Sequence, residues 1–340
     1  MRSRPGPPRN WSMTVRKRLK VVLVPIESKP QLFEPWGRDF VDAIGSRHDL
    51  TVFDHSGPVE EQLRDADVVV DLGGSATTRK MLDVARGARL WQCLSTGLDH
   101  FDLDYWRSKR MPVANTPGPF SATALAECAF MLMLMLARRY PEARQNFASR
   151  IMNVPMGSEL AGKSLGLIGF GASGREVAKR AVAFGMSVSA VDVRPIPLEE
   201  AQHFGVAGIA AISGLEALVS QADYLSLHVP LDSSTRHILD RSRIHQMKPT
   251  ACVINVARGA LIDEEALQEA LVEKTIAGAG LDVFSHEPPD PDNPIYLLPN
   301  VILTPHIAGS TKETSQRRAL AAAENVDRIA EGLEPKFIVS

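Results

Sequence analysis

Short apolar runs with β-strand character alternate with amphipathic segments along most of the chain. The first series of apolar runs covers 20–25, 49–53, 67–72 and 90–94, with a helical pattern at 78–86. The second series covers 164–169, 187–191, 224–229, 251–256 and 277–283. Such alternation is typical of βαβ units, and continuous apolar strands indicate a parallel sheet covered on both faces. The pattern predicts an α/β fold with two Rossmann-like, doubly wound parallel-sheet domains joined by long helices.

Two long helices determine the predicted domain organisation. Ser121 is expected to cap a helix that runs through the Met- and Leu-rich run 129–137 to Arg139, with Pro141 ending it and the helix joining the two domains. The helix predicted at 311–331 is expected to fold back on the first domain and make it discontinuous. The predicted division is a disordered tail at 1–18, a first domain at 19–120 and 307–340, and a second domain at 121–306.

Composition and charge narrow the range of partners. The 340 residues carry a net charge of −2, so no global field attracts nucleic acid or an anionic membrane. The nine-residue apolar run at 129–137 is far shorter than the roughly 20 residues of a membrane-spanning helix. Three widely spaced cysteines without C-x-x-C spacing exclude a disulfide framework and a zinc ribbon, so we expect no metal and a reducing cytoplasm. The expected partners are small molecules and copies of the chain itself.

A glycine-rich hexapeptide follows the first strand of the second series. Gly169, Gly171 and Gly174 form a G-x-G-x-x-G pattern, followed by a helical pattern at 175–184 and a strand that ends at Asp192. This context is that of a dinucleotide-binding turn, in which the glycines allow a tight turn, a close approach to pyrophosphate and close helix packing. The backbone amides expected to bind the phosphates are those of Ala172 and Ser173. The alternative is a turn that needs glycine for steric reasons alone.

The residues after the second strand bear on the choice of dinucleotide. Asp192 can accept hydrogen bonds from the ribose hydroxyls and would repel a 2′-phosphate, which favours NAD over NADP. Arg194 lies two residues further on and weakens this preference.

Several ordered motifs carry a family resemblance. They are NVARG at 255–259, LDVFSHEP at 281–288 and TPHIAG at 304–309, with TGLDHFD at 96–102 and VANTPG at 113–118 in the first domain. Together with the glycine turn they resemble the D-isomer-specific 2-hydroxyacid dehydrogenases. The resemblance implies hydride transfer between NAD and a small D-2-hydroxy acid or 2-oxo acid, a flavodoxin-like substrate domain and a homodimer.

By this resemblance the catalytic residues are Arg258, Glu287 and His306. Arginine offers a planar fork for a substrate carboxylate, and histidine can exchange a proton with the substrate oxygen near neutral pH. A carboxylate beside the imidazole orients it and favours its charged form. Arg258 and Glu287 both follow strands, and ligands in open α/β sheets bind at the carboxyl ends of strands, so we expect one cleft between the domains.

The resemblance also implies further contacts. It places His228, Val229, Pro230 and Thr235 near the adenosine and Asp282 at the nicotinamide amide, although Asp282 can also be an ordinary strand-end residue. The remaining implied cofactor contacts are Val256, Ala257, His306, Ala308 and Gly309. The implied substrate contacts are Leu72, Gly73, Gly74, Thr96, Gly97 and Arg258, with Gly73 and Gly74 offering backbone amides to a carboxylate.

Two departures from the family pattern bear on the expected substrate and on the strength of dinucleotide binding. Phosphoglycerate dehydrogenases carry an Arg-Ser pair after the strand at 67–72, where this chain has Leu72-Gly73-Gly74-Ser75, so phosphohydroxypyruvate is disfavoured. Ala172 replaces a basic residue that is common after the second glycine, which predicts weaker dinucleotide binding.

The competing hypothesis is an NAD(H)-sensing, corepressor-like binding protein on the same fold. Turnover of a 2-oxo acid distinguishes the enzyme from the binding protein.

Overall fold

The computed structural model describes residues 17–73, 77–99 and 101–339, which form two structural units. Unit 1 contains the described residues up to Thr116 together with those from Ser315 onward, and unit 2 is Pro117–Thr314. The sequence placed the divisions at 120/121, four residues later, and at 306/307, eight residues earlier. Residues 1–16 of the predicted tail lie outside the described residues.

Unit 1 is built on a five-stranded parallel sheet. Its strand order is β2-β1-β3-β4-β5, which is the flavodoxin-like order. Val21 and Leu23 of β1 pack in one apolar cluster, whereas Val22 and Val24 pack in the other, so both faces of the sheet are covered. The elements are β1 (Lys20–Val24), α1 (Trp36–Ile44), β2 (Asp49–Val52), α2 (Val59–Leu63), β3 (Val68–Asp71), α3 (Arg79–Val84), β4 (Leu90–Cys93), α4 (Leu103–Ser108) and β5 (Val113–Ala114).

Unit 2 begins with two helices, and its parallel sheet follows them. The elements as far as the fourth strand of this sheet are α5 (Ala122–Ala137), α6 (Tyr140–Ala148), β6 (Ser164–Ile168), α7 (Ala172–Ala183), β7 (Ser187–Val191), α8 (Leu198–His203), β8 (Val206–Ala210), α9 (Leu215–Gln221) and β9 (Tyr224–Leu227). The remaining elements are α10 (Arg241–Gln246), β10 (Cys252–Asn255), α11 (Glu264–Val272), β11 (Gly278–Leu281), β12 (Val301–Leu303) and α12 (Lys312–Ala330), the last of which crosses into unit 1.

The strand order of unit 2 fixes where a ligand can bind. The order is β12-β11-β10-β9-β6-β7-β8, with every neighbouring pair parallel. From β6 the chain adds β7 and β8 towards one edge of the sheet, and then adds β9 to β12 towards the other edge. Ligands of such sheets bind outside the carboxyl ends of the strands at this switch point, between β6 and β9. The predicted class of two doubly wound parallel sheets is therefore confirmed.

Helix α5 differs from its prediction at both ends. Ser121 stands at its N-terminus, but its side chain makes no capping hydrogen bond. The helix ends at Ala137, before Arg139, which adopts a left-handed conformation with φ 50°. Pro141 lies in the first turn of α6 instead of ending α5, because a missing N–H costs nothing in a first helical turn. Helix α5 lies wholly in unit 2 and packs on α7, β10 and β11.

The sequence pattern did not predict three of the strands. Strands β5 and β12 contain two and three residues, too few to show an apolar period. Strand β8 (VAGIA) pairs only with β7 at an edge of the sheet and contains a glycine, which weakens its strand signal. Across the described residues, no helix combines the length and apolarity needed to cross a membrane.

Candidate active site

The three predicted catalytic residues follow three adjacent strands of unit 2. Arg258 follows β10, Glu287 follows β11 and His306 follows β12, and these strands are neighbours in the sheet. Parallel strands place their carboxyl ends at one edge, so the three loops start side by side. The missed strand β12 explains why His306 belongs to this edge.

His306 and Glu287 form a direct pair. The imidazole Nδ1 lies 2.7 Å from Glu287 Oε2, and the other carboxylate oxygen accepts a hydrogen bond from the Phe284 amide at 3.2 Å. With Nδ1 engaged, Nε2 is the ring nitrogen left to exchange a proton with a ligand. The His306 side chain is about half exposed, so a ligand can reach it.

Asp282 holds the loop that carries His306. Its fully buried carboxylate accepts hydrogen bonds from Thr304 Oγ1 at 2.6 Å and from the amides of Ile307 and Ala308 at 2.8 Å each. The His306 amide donates to the Asp282 carbonyl at 2.8 Å, although His306 itself has a φ of 55°. Burial raises the pKa of Asp282, while the hydrogen bonds oppose that rise. The structure thus gives Asp282 a loop-holding role, and its contact with the nicotinamide amide stays a prediction.

Arg258 lies on a turn that is fixed against the Glu287 loop. Asn255 holds this turn by donating from Nδ2 to the Arg258 carbonyl at 2.8 Å and by accepting the Ala257 amide at 3.1 Å. A Cβ at Gly259 would lie 1.9 Å from the carbonyl carbon of Phe284, so only glycine fits there. The Arg258 turn therefore packs directly on the backbone that binds Glu287.

The glycine turn after β6 has the geometry that its pattern predicts. Gly169 has a φ of 97°, and a Cβ there would lie 2.5 Å from the His228 carbonyl oxygen. A Cβ at Gly174 would lie 2.3 Å from the Gly169 carbonyl oxygen, which confirms the need for close helix packing. Helix α7 begins at Ala172, so its first amides, including that of Ser173, have no partner within the helix.

A cavity of about 420 Å³ adjoins the start of this helix. Gly171 lines it, and a Cβ on Gly171 would meet nothing within 4 Å. The open side of Gly171 and the helical N-terminus together fit a dinucleotide pyrophosphate. Two arginines, Arg175 and Arg194, also line the cavity, together with Phe204.

Asp192 stands where the pattern predicts it, but its carboxylate is fully engaged. Oδ1 accepts the Arg194 amide and Arg194 Nε at 2.9 Å each. Oδ2 accepts the Phe170 amide at 2.8 Å and Arg194 Nη2 at 2.9 Å. Burial alone would raise the pKa of Asp192, but the hydrogen bonds from Arg194 and Phe170 outweigh it and hold the pKa at about 2.

The predicted adenosine contacts after β9 are mostly occupied by local bonds. His228 is buried, with Nε2 2.8 Å from Ser226 Oγ and Nδ1 3.2 Å from Ser173 Oγ. Burial lowers the pKa of His228 to about 4, so its ring is neutral. Its contact with Ser173 stabilises the glycine turn. Thr235 Oγ1 donates to the Pro230 carbonyl at 2.7 Å. The predicted contacts with less buried positions are Val229 and Pro230 in this loop, Ala257 after β10 and Gly309 after β12, whereas Val256 and Ala308 are buried.

The predicted substrate residues of unit 1 follow β3 and β4. Gly73 has a φ of 95°, and its amide donates to Asp71 Oδ1 at 2.6 Å, so this amide is not available to a carboxylate as the sequence suggested. Leu72 is buried, Thr96 Oγ1 donates to the Thr116 carbonyl at 2.9 Å, and the Gly97 carbonyl accepts Ser95 Oγ at 2.8 Å. Gly74 lies outside the described residues.

Sequence reasoning missed the roles of two residues at this edge. Asn255 fixes the Arg258 turn, and the N-x-x-R spacing was the signal available for it. Arg175 was assigned only to a helix, yet its Nε donates to the Phe170 carbonyl at 3.2 Å and its guanidinium lies 5.2 Å from the Phe204 ring centroid. Such an arrangement depends on the fold and leaves no sequence signal.

Comparison with known proteins adds to this geometry. Residues 130–308 match the family model described as D-isomer specific 2-hydroxyacid dehydrogenase, NAD binding domain. The chain is 36% identical over 304 residues to a hydroxypyruvate reductase from Thermotoga maritima, covering 86% of this chain and 95% of that protein. It is 40% identical over 274 residues to a D-3-phosphoglycerate dehydrogenase from Methanocaldococcus jannaschii, covering 80% of this chain and 51% of that protein. The chain thus spans about half the length of the latter relative.

A solved structure agrees with these sequence relatives. The D-lactate dehydrogenase from Aquifex aeolicus complexed with NAD and lactic acid has a TM-score of 0.76 and 29% identity, covering 92% of this chain and 96% of that chain. Fold, site and comparisons together define an NAD-dependent oxidoreductase that acts on hydroxy or oxo acids. Within that class, the chain belongs to the D-isomer-specific 2-hydroxyacid dehydrogenase family.

Proposed function

We propose that the protein interconverts a small, non-phosphorylated D-2-hydroxy acid and its 2-oxo acid, with hydroxypyruvate as the first substrate to test. The observation that carries the proposal is the pair of His306 Nδ1 and Glu287 Oε2 at 2.7 Å, at the same sheet edge as Arg258. The hydroxypyruvate reductase relative, which aligns along 95% of its length, supports this substrate. The absence of the Arg-Ser pair at 72–75 argues against a phosphorylated acid.

Each catalytic residue has a task that its geometry allows. Arg258 holds the substrate carboxylate through parallel N–H···O bonds. When bound, the cofactor would supply the hydride as NADH during reduction and accept it as NAD⁺ during oxidation. His306 donates a proton from Nε2 to the substrate oxygen during reduction and accepts it during oxidation, while Glu287 keeps the ring oriented through Nδ1. Apart from a carboxylate contact through the Gly73 amide, which Asp71 occupies, the other sequence-predicted contacts with the cofactor and the substrate belong to this proposal.

The test is a panel of 2-oxo acids assayed by the loss of NADH absorbance. Hydroxypyruvate, glyoxylate, pyruvate and phenylpyruvate are compared, and at least one should turn over. If NADH binds tightly but no 2-oxo acid is reduced, the enzymatic proposal is wrong and the NAD(H)-sensing binding protein takes its place.

A variant at Arg258 tests the assignment of roles. Arg258→Ala should raise KM for the 2-oxo acid by about 10²-fold or more, as expected when a charge-assisted bidentate contact is lost. The Kd for NADH should change less than threefold, and Arg258→Lys should recover part of the loss. Arg241→Ala, which removes an exposed ion pair with Glu269 in the same unit, serves as the control. Equal loss of substrate and NADH binding would mean that Arg258 is structural.

The proposal includes a homodimer formed through unit 2. Helix α6 and the segment after it expose a run of large apolar side chains, among them Phe147 at 77% and Met156 at 88% exposure, with Ile151, Met152 and Val154 between them. A cluster of exposed large apolar side chains within ten residues of the chain is typical of an interaction surface, and a second copy of the chain is the commonest partner. The doubly substituted variant Phe147→Glu/Met156→Glu should sediment as a monomer, whereas the exposed Val272→Glu should not change the mass. A monomeric wild type refutes this part.

The proposal also places the enzyme in the cytoplasm. The three cysteines are all free, which suits a reducing compartment. Localisation of a tagged chain by fractionation tests this.

A further inference from the structure

Glu287 lies on a proline-rich loop that starts shortly after β11 and ends before β12. Residues 284–296 include four prolines, which have no N–H to donate, so the backbone of this loop can form few hydrogen bonds of its own. At the two ends of the loop, the rings of Phe284 and Tyr296 meet edge to face with their centroids 5.1 Å apart. Such apolar contacts are non-directional, so the orientation of the polar residues on the loop depends on hydrogen bonds from elsewhere.

The carboxylate of Glu264 contacts both ends of this loop. Glu264 is the first residue of α11 and is partly buried. Its Oε2 accepts hydrogen bonds from the Ser285 amide and from the Tyr296 hydroxyl at 3.2 Å each, and its Oε1 accepts one from Asn293 Nδ2 at 3.1 Å. Burial and the nearby Glu264 carboxylate raise the pKa of Tyr296, so its hydroxyl stays a donor. One side chain of α11 therefore fixes the start and the end of the loop.

The Ser285 amide lies next to the amide that binds Glu287. The Phe284 amide donates to Glu287 Oε1 at 3.2 Å, and only the α-carbon of Phe284 and its carbonyl separate this amide from that of Ser285. Holding the Ser285 amide therefore restricts the backbone rotation that would turn the Phe284 amide away from Glu287. The same backbone is in contact with Gly259, where a Cβ would lie 2.4 Å from the Ser285 nitrogen. The segment from Gly259 to Glu264 thus supports the start of the Glu287 loop at two points.

We propose that Glu264 is a positioning residue for the reaction, because it holds the loop on which Glu287 meets His306 Nδ1. The proposal rests on the proposed function, in which Glu287 and His306 form the acid–base pair. Glu264 acts through the loop backbone and takes no part in the proton transfer itself. A displacement of about 1 Å at a catalytic group can lower the rate about 10²-fold, so the loss of three hydrogen bonds at the loop should be visible in kcat.

Substitutions at Glu264 separate the reach of the side chain from its charge. Glu264→Gln keeps the length and an acceptor for the Ser285 amide, whereas Glu264→Asp keeps the charge and is one methylene shorter. We expect kcat for the best 2-oxo acid to stay within threefold of wild type in Glu264→Gln, and to fall at least threefold in Glu264→Asp and at least tenfold in Glu264→Ala. The Kd for NADH should change less than threefold in each variant. The exposed Glu265→Gln removes the same charge from the same helical turn and should match wild type. An active Glu264→Asp beside an impaired Glu264→Gln overturns the proposal.

A double-mutant cycle tests whether Glu264 acts through Glu287. The Glu287→Ala background has no carboxylate to position, so adding Glu264→Ala should lower kcat less than twofold further. Effects that multiply overturn the proposal, because a general structural defect would act in both backgrounds. Glu264→Asp keeps the charge at the start of the helix and is used in the same cycle if Glu264→Ala does not fold, with the same expected result.

The cycle also distinguishes this proposal from the proposed function. If Glu287→Ala lowers kcat but substitutions at Glu264 do not, the positioning role alone is overturned. If Glu287→Ala leaves kcat unchanged, or wild type reduces no 2-oxo acid, the proposed function is contradicted and the positioning role with it.

Discussion

Substituting Asp282 by asparagine tests how the His306 loop is held. An asparagine has one acceptor oxygen, so it can keep the hydrogen bonds from Thr304 and Ile307 only if its amide group faces the Ala308 amide. The variant then loses the charge-assisted hydrogen bond from the Ala308 amide, and the asparagine NH₂ faces that N–H donor. Together these changes lower the unfolding free energy by about 2–3 kcal/mol. Burial raises the pKa of Asp282, so removing its charge offsets part of that cost. The net loss of unfolding free energy should be about 1–2 kcal/mol.

The larger effect should be on catalysis. Repulsion at Ala308 moves the loop that carries His306, and a displacement of about 1 Å at a catalytic group can lower the rate about 10²-fold. We therefore expect kcat to fall by about 10²-fold, with the Kd for NADH changed less than threefold. The assays are steady-state reduction of the best 2-oxo acid, fluorescence titration with NADH and urea-induced unfolding.

The exposed Asp292→Asn substitution is the matched control and should match wild type in all three assays. A kcat for Asp282→Asn within threefold of wild type would refute the loop-holding role. A Kd for NADH raised more than tenfold with little change in stability would instead support the contact with the nicotinamide amide that the family resemblance implies.

Three further variants address other parts of unit 2. Burial lowers the pKa of His228 from 6.5 to about 4, so the unfolded chain binds a proton at a higher pH than the folded chain. Wild type should therefore lose about 2 kcal/mol of unfolding free energy between pH 7 and 4.5. In urea unfolding, His228→Asn should lack this loss, and an equal pH dependence of the two proteins would contradict the argument. Gly259→Ala should lower kcat/KM at least 10²-fold, because the added Cβ meets the Phe284 backbone, which cannot rotate away; full activity would contradict the close approach. Glu287→Gln should lower kcat 10–10²-fold and leave NADH binding intact, whereas an unchanged kcat would remove Glu287 from the acid–base pair.

The sequence supplied the parts of the site that depend on chain order. The glycine turn at 169–174, the acid after the second strand and Arg258, Glu287 and His306 all follow strand ends, so their convergence could be expected from topology alone. The family motifs then selected the polar residues that we propose as functional. Strand β12 was missed because three residues cannot show a period.

Hydrogen-bond partners could not be predicted in the same way. The four bonds that fill Asp192, the orientation of Asp282 into the 304–308 loop and the use of the Gly73 amide by Asp71 depend on loop conformations that have no sequence period. The end of α5 was misplaced because Pro141 was interpreted as a breaker, whereas a proline in a first turn is tolerated.

The strand order of unit 2 separates the residues that we propose for coenzyme binding from those that we propose for the reaction. The turn and the acid that we propose for the adenosine end follow β6 and β7, whereas the loops that we propose for proton transfer and carboxylate binding follow β10, β11 and β12 on the opposite flank. Substitutions on one flank share few direct contacts with the other and should combine nearly additively. Loops from related enzymes could therefore be grafted after β10, β11 and β12 to change the substrate. The coenzyme preference should stay the same, because the loops after β6 and β7 are unchanged.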